Sequence, residues 1–222
     1  MRAGVLAVVD GTFKMVDSFT ETVTEDDQEL ARRLEIDRVF SLPDGSMAFA
    51  GRAAAERLAN QRDAAIEDDE IRVTEGTEVV TDYTEFVGVT GEFVVVSSGD
   101  GEFAFDLIGA ETNTNLERAT LDLDGFFASH GSATPWRAGF SGNGDAGMNG
   151  VFHGADLRAS HDLDSLLADS RLNQLGLSYG HDGDEVKMTA SRSGYVEVYQ
   201  PSSYDAAAFL TYLREEMLDH VV

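Results

Sequence analysis

The chain has 222 residues and sets 41 acidic side chains against 16 basic ones, a net charge of −25 with only two lysines, Lys14 and Lys187. Without cysteine it has no disulfide framework, no thiol catalysis, no cysteine zinc site and no iron–sulfur cluster. A field this negative repels phosphate backbones, so nucleic acid is not an expected partner, and 42% hydrophobic content argues against disorder.

The acidity reads as adaptation to high salt. Self-repulsion that would loosen such a chain in dilute buffer is screened at molar salt, where the Debye length is about 3 Å. A cytoplasmic location is expected, because Asp10-Gly11 interrupts the apolar run from Val5 to Val9 before a secretory core is complete. No later run is long enough to span a bilayer.

Two short runs, Val5 to Val9 and Thr12 to Val16, flank Asp10-Gly11 and predict a hairpin. Thr24 to Asp27 resembles a helix cap, with Leu30, Ala31 and Leu34 as the stripe that follows. Ile36 to Leu42 and Ser46 to Ala50 around Pro43-Asp44-Gly45 predict a second hairpin, and a helix is expected from about Arg52 to Ala65. Glu67-Asp68-Asp69-Glu70 reads as a solvated connector leading to β-type residues between Ile71 and Tyr83.

Glu85 to Ala110 holds the densest β-forming residues. Its three apolar runs, broken at Thr90-Gly91 and at Gly99-Asp100-Gly101, predict an antiparallel meander. The capping box Thr114-Asn115-Leu116-Glu117 predicts a helix carrying Leu116, Ala119, Leu123, Phe126 and Phe127. Gly131 to Ala159 is glycine-rich and irregular, with short strands expected at Trp136 to Phe140 and Gly150 to His153. A short helix from Ser160 to Leu172 comes next. Strands at Leu175 to Tyr179, Glu185 to Ala190 and Tyr195 to Gln200, then a terminal helix from Asp205 to Val221, complete the chain.

Hairpins that precede helices define an α+β class, mainly antiparallel sheet built from hairpins or meanders, each followed by a packed helix. The division expected is an N-terminal hairpin-helix subdomain at 1–66, a connector at 67–84 and a larger α+β domain at 85–222, continuous or not with the first part.

Chemistry-bearing motifs are sparse. Gly142-Asn143-Gly144-Asp145-Ala146-Gly147 has dinucleotide spacing, but Asp145 would oppose a phosphate and no helix start follows, so a loop is expected and no cofactor. His130, His153 and His161, with Asp162 and Asp164, form the one group that could hold a metal or do acid/base work, although no metal-ligand spacing is present. The aspartate-rich turns Asp100-Gly101-Glu102 and Asp182-Gly183-Asp184-Glu185 read as hairpin turns. Trp136, Arg137 and Phe140 concentrate aromatic and basic character in the glycine-rich segment, as a partner-binding anchor would.

The function expected is that of a non-enzymatic interaction or regulatory protein, self-associating or docking a protein partner, with no membrane association. The alternative is a hydrolase whose cleft spans residues 131–164 and uses His153, His161 or Asp162. A third reading is a nucleic-acid-associated regulator acting through Arg32, Arg33 and Arg38.

Overall fold

A computed structural model describes residues 1–67, 69–142, 149–160 and 170–222. Among the described residues, twelve strands form one mainly antiparallel sheet. They are β1 (Ala3–Asp10), β2 (Phe19–Glu25), β3 (Gln28–Ser41), β4 (Met47–Glu67), β5 (Glu70–Val89), β6 (Phe93–Val96), β7 (Asn115–Arg118), β8 (Thr134–Gly142), β9 (Asn149–His153), β10 (Ser170–His181), β11 (Asp184–Ser191) and β12 (Tyr195–Gln200). Eleven run in the order β2-β3-β4-β5-β6-β1-β12-β11-β10-β8-β9, and β7 pairs with the end of β1.

Period-two alternation decides what covers this sheet. Neighbouring residues of a strand point to opposite faces, so a strand covered on both sides must be apolar throughout. The central strands meet that demand: Val5 and Ala7 of β1 join one core while Leu6 joins the other, and Val94 and Val96 of β6 part from Val95 in the same way. On the first face α1 (Phe103–Thr112) buries Ala104, Phe105, Leu107 and Ile108 against Val5, Val94, Val96, Phe49, Phe86 and Leu34. On the second face α2 (Leu123–Ser129) and the terminal helix, beginning with α4 (Ala206–Tyr212), bury Phe126, Phe209, Leu210, Leu213 and Met217. These meet Leu6, Val95, Leu175, Leu177, Met188, Val196 and Val198. Each large side chain buried there is worth about 1.5–3 kcal/mol relative to exposure. A short helix, α3 (Leu157–Ser160), tucks Leu157 into this second core.

Several expected elements are replaced. No hairpin forms at Asp10-Gly11; β1 takes β6 and β12 as partners, because a continuous apolar run needs cover on both faces. The helix expected around Leu30 is β3. Asp26 and Asp27, read as part of a cap, both have positive φ (48° and 62°) and make the two-residue type I′ turn that joins β2 to β3. The helix expected from Arg52 is β4, whose register with β5 runs from Ala48↔Val89 to Glu67↔Glu70. Alanine's helical preference is weak enough for a ladder of that length to override it.

Two further corrections follow the same logic. The third run of the central meander is α1, since Ala104, Phe105, Leu107 and Ile108 also stand at helical spacing. Residues 115–118 form β7, and the helix begins only at Leu123, where Asp122 accepts from the Gly125 amide at 3.1 Å. The strands expected within β8, β9, β10, β11 and β12 are present. So is the terminal helix, which Asp205 caps by accepting from the Ala208 amide. It continues through a π turn (Leu213–Met217) and a final 3₁₀ turn (Leu218–His220).

Candidate functional site

The helices cover opposite faces of different halves of the sheet. Where α2 and α4 cover the second face, Leu175, Leu177, Val186, Met188, Ala190, Val196 and Val198 point into the core. Their alternates point the other way: Gln174 and Ser178 on β10, Lys187, Thr189 and Ser191 on β11, Tyr195, Glu197 and Tyr199 on β12. Tyr195 of this set also packs against the α1 core. The rest form a polar and aromatic half-sheet with two shallow pockets. One, of about 220 Å³, is lined by Arg137, Gln174, Thr189, Tyr195, Glu197 and Tyr199 among others; the second, of about 410 Å³, is lined by Trp136, Lys187, Tyr199 and Gln200.

Trp136 enters this face through an irregularity. The register of β8 on β10 shifts between Gly176 and Leu177, and the indole then lies on Gly176, where a Cβ would stand 2.7 Å from the ring. Only a glycine leaves that space. Tyr199 meets the indole edge-on at 5.8 Å, and the Lys187 ammonium sits 5.0 Å from the ring centre, a cation–π geometry. Arg137 donates from Nη2 to Gln174 Oε1 at 2.7 Å, while Arg137 Nε and Trp136 Nε1 are buried without an acceptor. Tyr195 donates to Glu197 at 3.0 Å. Burial, then that carboxylate, pushes the Tyr195 phenol up to about 12, and burial followed by Glu197 raises Tyr199 as well. Both phenols stay neutral at physiological pH.

The three anchors expected from the sequence therefore part. Trp136 and Arg137 contribute to the open half-sheet, whereas Phe140 is 3% exposed and stacks on Phe152 at 5.5 Å, with no surface for a partner. His153 is exposed at the end of β9, in register with Arg137. His161, Asp162 and Asp164 lie outside the described residues, as does most of the dinucleotide-like motif, residues 143–147. Arg32 and Arg33 each face a carboxylate, Glu21 and Glu35, and Arg38 lies over the Phe40 ring.

His130 belongs to a second network, on the helix-covered side. Its Nδ1 approaches the Phe126 carbonyl at 2.8 Å and its Nε2 the Glu216 carboxylate at 2.9 Å. The Ser129 hydroxyl also lies 3.0 Å from Nδ1, and the Glu216 hydrogen bond raises the His130 pKa. The same bond lowers Glu216 against the opposing effect of burial. Glu216 also meets His181 Nδ1 at 2.9 Å, and Tyr179 donates to it at 3.4 Å while sharing a 2.8 Å hydrogen bond with Tyr212. Burial drives both phenols well above the ordinary tyrosine value. Both His130 nitrogens are thus engaged by groups of the protein itself. The network acts as a latch joining α2, β10 and the terminal helix.

Gln174, Lys187, Tyr195, Glu197 and Tyr199 escaped motif reasoning, although a signal was there. In Lys187-Met188-Thr189-Ala190-Ser191 and Tyr195-Val196-Glu197-Val198-Tyr199 the polar and aromatic residues occupy every second position, which marks one shared face. No family model matches the chain, and no curated protein matches it.

Proposed function

We propose that this is a non-enzymatic interaction protein adapted to high salt, which docks an acidic protein partner, a second copy of the chain included, on the open half-sheet. The observation that carries this reading is the concentration of Trp136, Arg137, Lys187, Tyr195 and Tyr199 on the polar face of β8, β10, β11 and β12. Trp, Tyr and Arg are the residues that most often anchor interfaces, because each combines large apolar area with a directed polar group. On a chain of net charge −25, a face with both an arginine and one of the two lysines complements an acidic surface.

Affinity capture and sedimentation at molar salt test this. The wild-type protein retains a partner or self-associates with concentration, and Lys187→Glu and Tyr199→Ala abolish that while leaving the fold intact. A strictly monomeric protein with no retained partner, or association indifferent to both variants, contradicts the reading.

A further inference from the structure

Away from the open half-sheet, the turn between β10 and β11 meets the π turn of the terminal helix. Asp182 and Gly183 both have positive φ (50° and 85°), the type I′ pair that makes the tightest antiparallel connection. The turn sets the Asp182 carboxylate beside His181, the last residue of β10. From the opposite side Leu213–Met217 presents Glu215 and Glu216. A π turn closes from residue i to i+5, so it is wider than an α turn and brings successive side chains closer in direction. Two adjacent carboxylates thereby reach one imidazole: Glu216 Oε1 is 2.9 Å from His181 Nδ1, and Glu215 Oε2 is 3.4 Å from His181 Nε2.

Ligand atoms of His181, Asp182 and Glu215 all lie within 4.8 Å of one another. A tetrahedral zinc ion with bonds of about 2.0–2.1 Å keeps its ligand atoms about 3.3 Å apart. The His181–Glu215 pair already has that separation, and Asp182 is exposed, so a rotamer adjustment brings its carboxylate in. Glu216 separates this group from an ordinary acidic surface patch. By accepting from Nδ1 it makes Nε2 the ligand nitrogen, the carboxylate–histidine arrangement that supports metal-bound imidazoles. Glu216 is itself fixed by His130 and Tyr179.

We propose that His181 Nε2, Asp182 and Glu215 form a site for a first-row divalent cation of the zinc class, with Glu216 as the positioning residue. One imidazole and two carboxylates without sulfur suit such an ion; calcium would call for six to eight oxygens. Three protein ligands leave a fourth position, and the exposure of Asp182 and Glu215 opens it to water.

The test is calorimetric titration of zinc chloride into the full chain at molar KCl with magnesium in large excess, alongside cobalt(II) absorption. The expected result is one saturable site per chain, a raised unfolding midpoint and a tetrahedral cobalt spectrum. Asp182→Asn and Glu215→Gln alter exposed side chains and each weaken binding by at least about tenfold. Glu216→Gln lowers affinity by about 10–100-fold while the cobalt spectrum keeps its shape, which a merely structural role would not produce. Absence of a saturable site, loss of binding to excess magnesium, or equal binding by Asp182→Asn and Glu215→Gln overturns the proposal.

Discussion

The Glu216 carboxylate accepts a 2.9 Å hydrogen bond from His130 Nε2, tying the π turn of the terminal helix to the end of α2. His130 keeps its proton more tightly in the folded chain than its ordinary value near 6.5, so its contribution is whole below that pH. The contribution fades as pH rises through the elevated folded value. Tyr179, whose ring lies 4.5 Å from the imidazole, stays neutral across this range. In metal-free protein at constant molar salt, wild type should therefore lose thermal midpoint above about pH 6.5 relative to His130→Gln. Parallel midpoint curves for the two proteins would refute the latch.

Arg214 clamps three parts of the chain together. Its guanidinium makes a two-point contact with Glu92 at 2.8 and 3.0 Å and a further ion pair with Asp44, joining the terminal helix to the β5–β6 and β3–β4 turns. Arg214→Ala should lower stability by about 1–3 kcal/mol, a range set by charge-assisted hydrogen bonds at a partly buried site. Denaturant unfolding measures the loss, and hydrogen exchange should report earlier opening of residues 206–220. Unchanged exchange there would contradict the clamp.

Gly176 is the floor on which Trp136 rests. A Cβ at residue 176 would stand 2.7 Å from the indole and 2.8 Å from the Arg137 Cβ, so the ring must lift. Gly176→Ala should destabilise by about 1–3 kcal/mol, as overpacking does, and shift tryptophan emission to the red. Since Trp136 is the chain's single tryptophan, the spectrum reads this one position. An unshifted spectrum would place the indole elsewhere.

Salt should act on the whole chain. With 41 acidic side chains against 16 basic ones, self-repulsion opposes compaction wherever screening is weak. The unfolding midpoint should rise steadily from dilute buffer to molar KCl, in wild type and in every surface variant above. A midpoint independent of salt would remove the basis for reading the acidity as adaptation.

How far the sequence reveals the fold depends on what its patterns can distinguish. Strict alternation over Glu185 to Ala190 and Tyr195 to Gln200 matches only a strand, and the terminal stripe of Phe209, Leu210, Leu213 and Met217 matches only a helix. Ala54, Leu58 and Ile66 fit both periods, because four is a multiple of two; long-range pairing with β5 settled the matter there. Asp26-Asp27 misled for a different reason. The short side chain that caps a helix also tolerates the left-handed turn of a hairpin.

The candidate site was legible in part. Trp136 and Arg137 stood out as residue types, but Tyr199, Lys187 and Gln174 join them only through the β8-β10-β11-β12 order, which local sequence does not encode. Phe140, four residues beyond Trp136 at the β8 irregularity, shares the core side with Ala138. His181 and Glu216 are 35 residues apart in numbering and meet because a hairpin turn abuts a π turn, a conjunction without a local motif.

The open half-sheet as a docking face is tested most directly by acrylamide quenching of Trp136 at molar salt, followed as protein concentration rises and as a captured partner is added back. Docking should shield the indole, lowering its quenching constant in wild type, with no change in Lys187→Glu or Tyr199→Ala. A quenching constant that stays level while sedimentation records association would put the interface elsewhere and contradict the assignment.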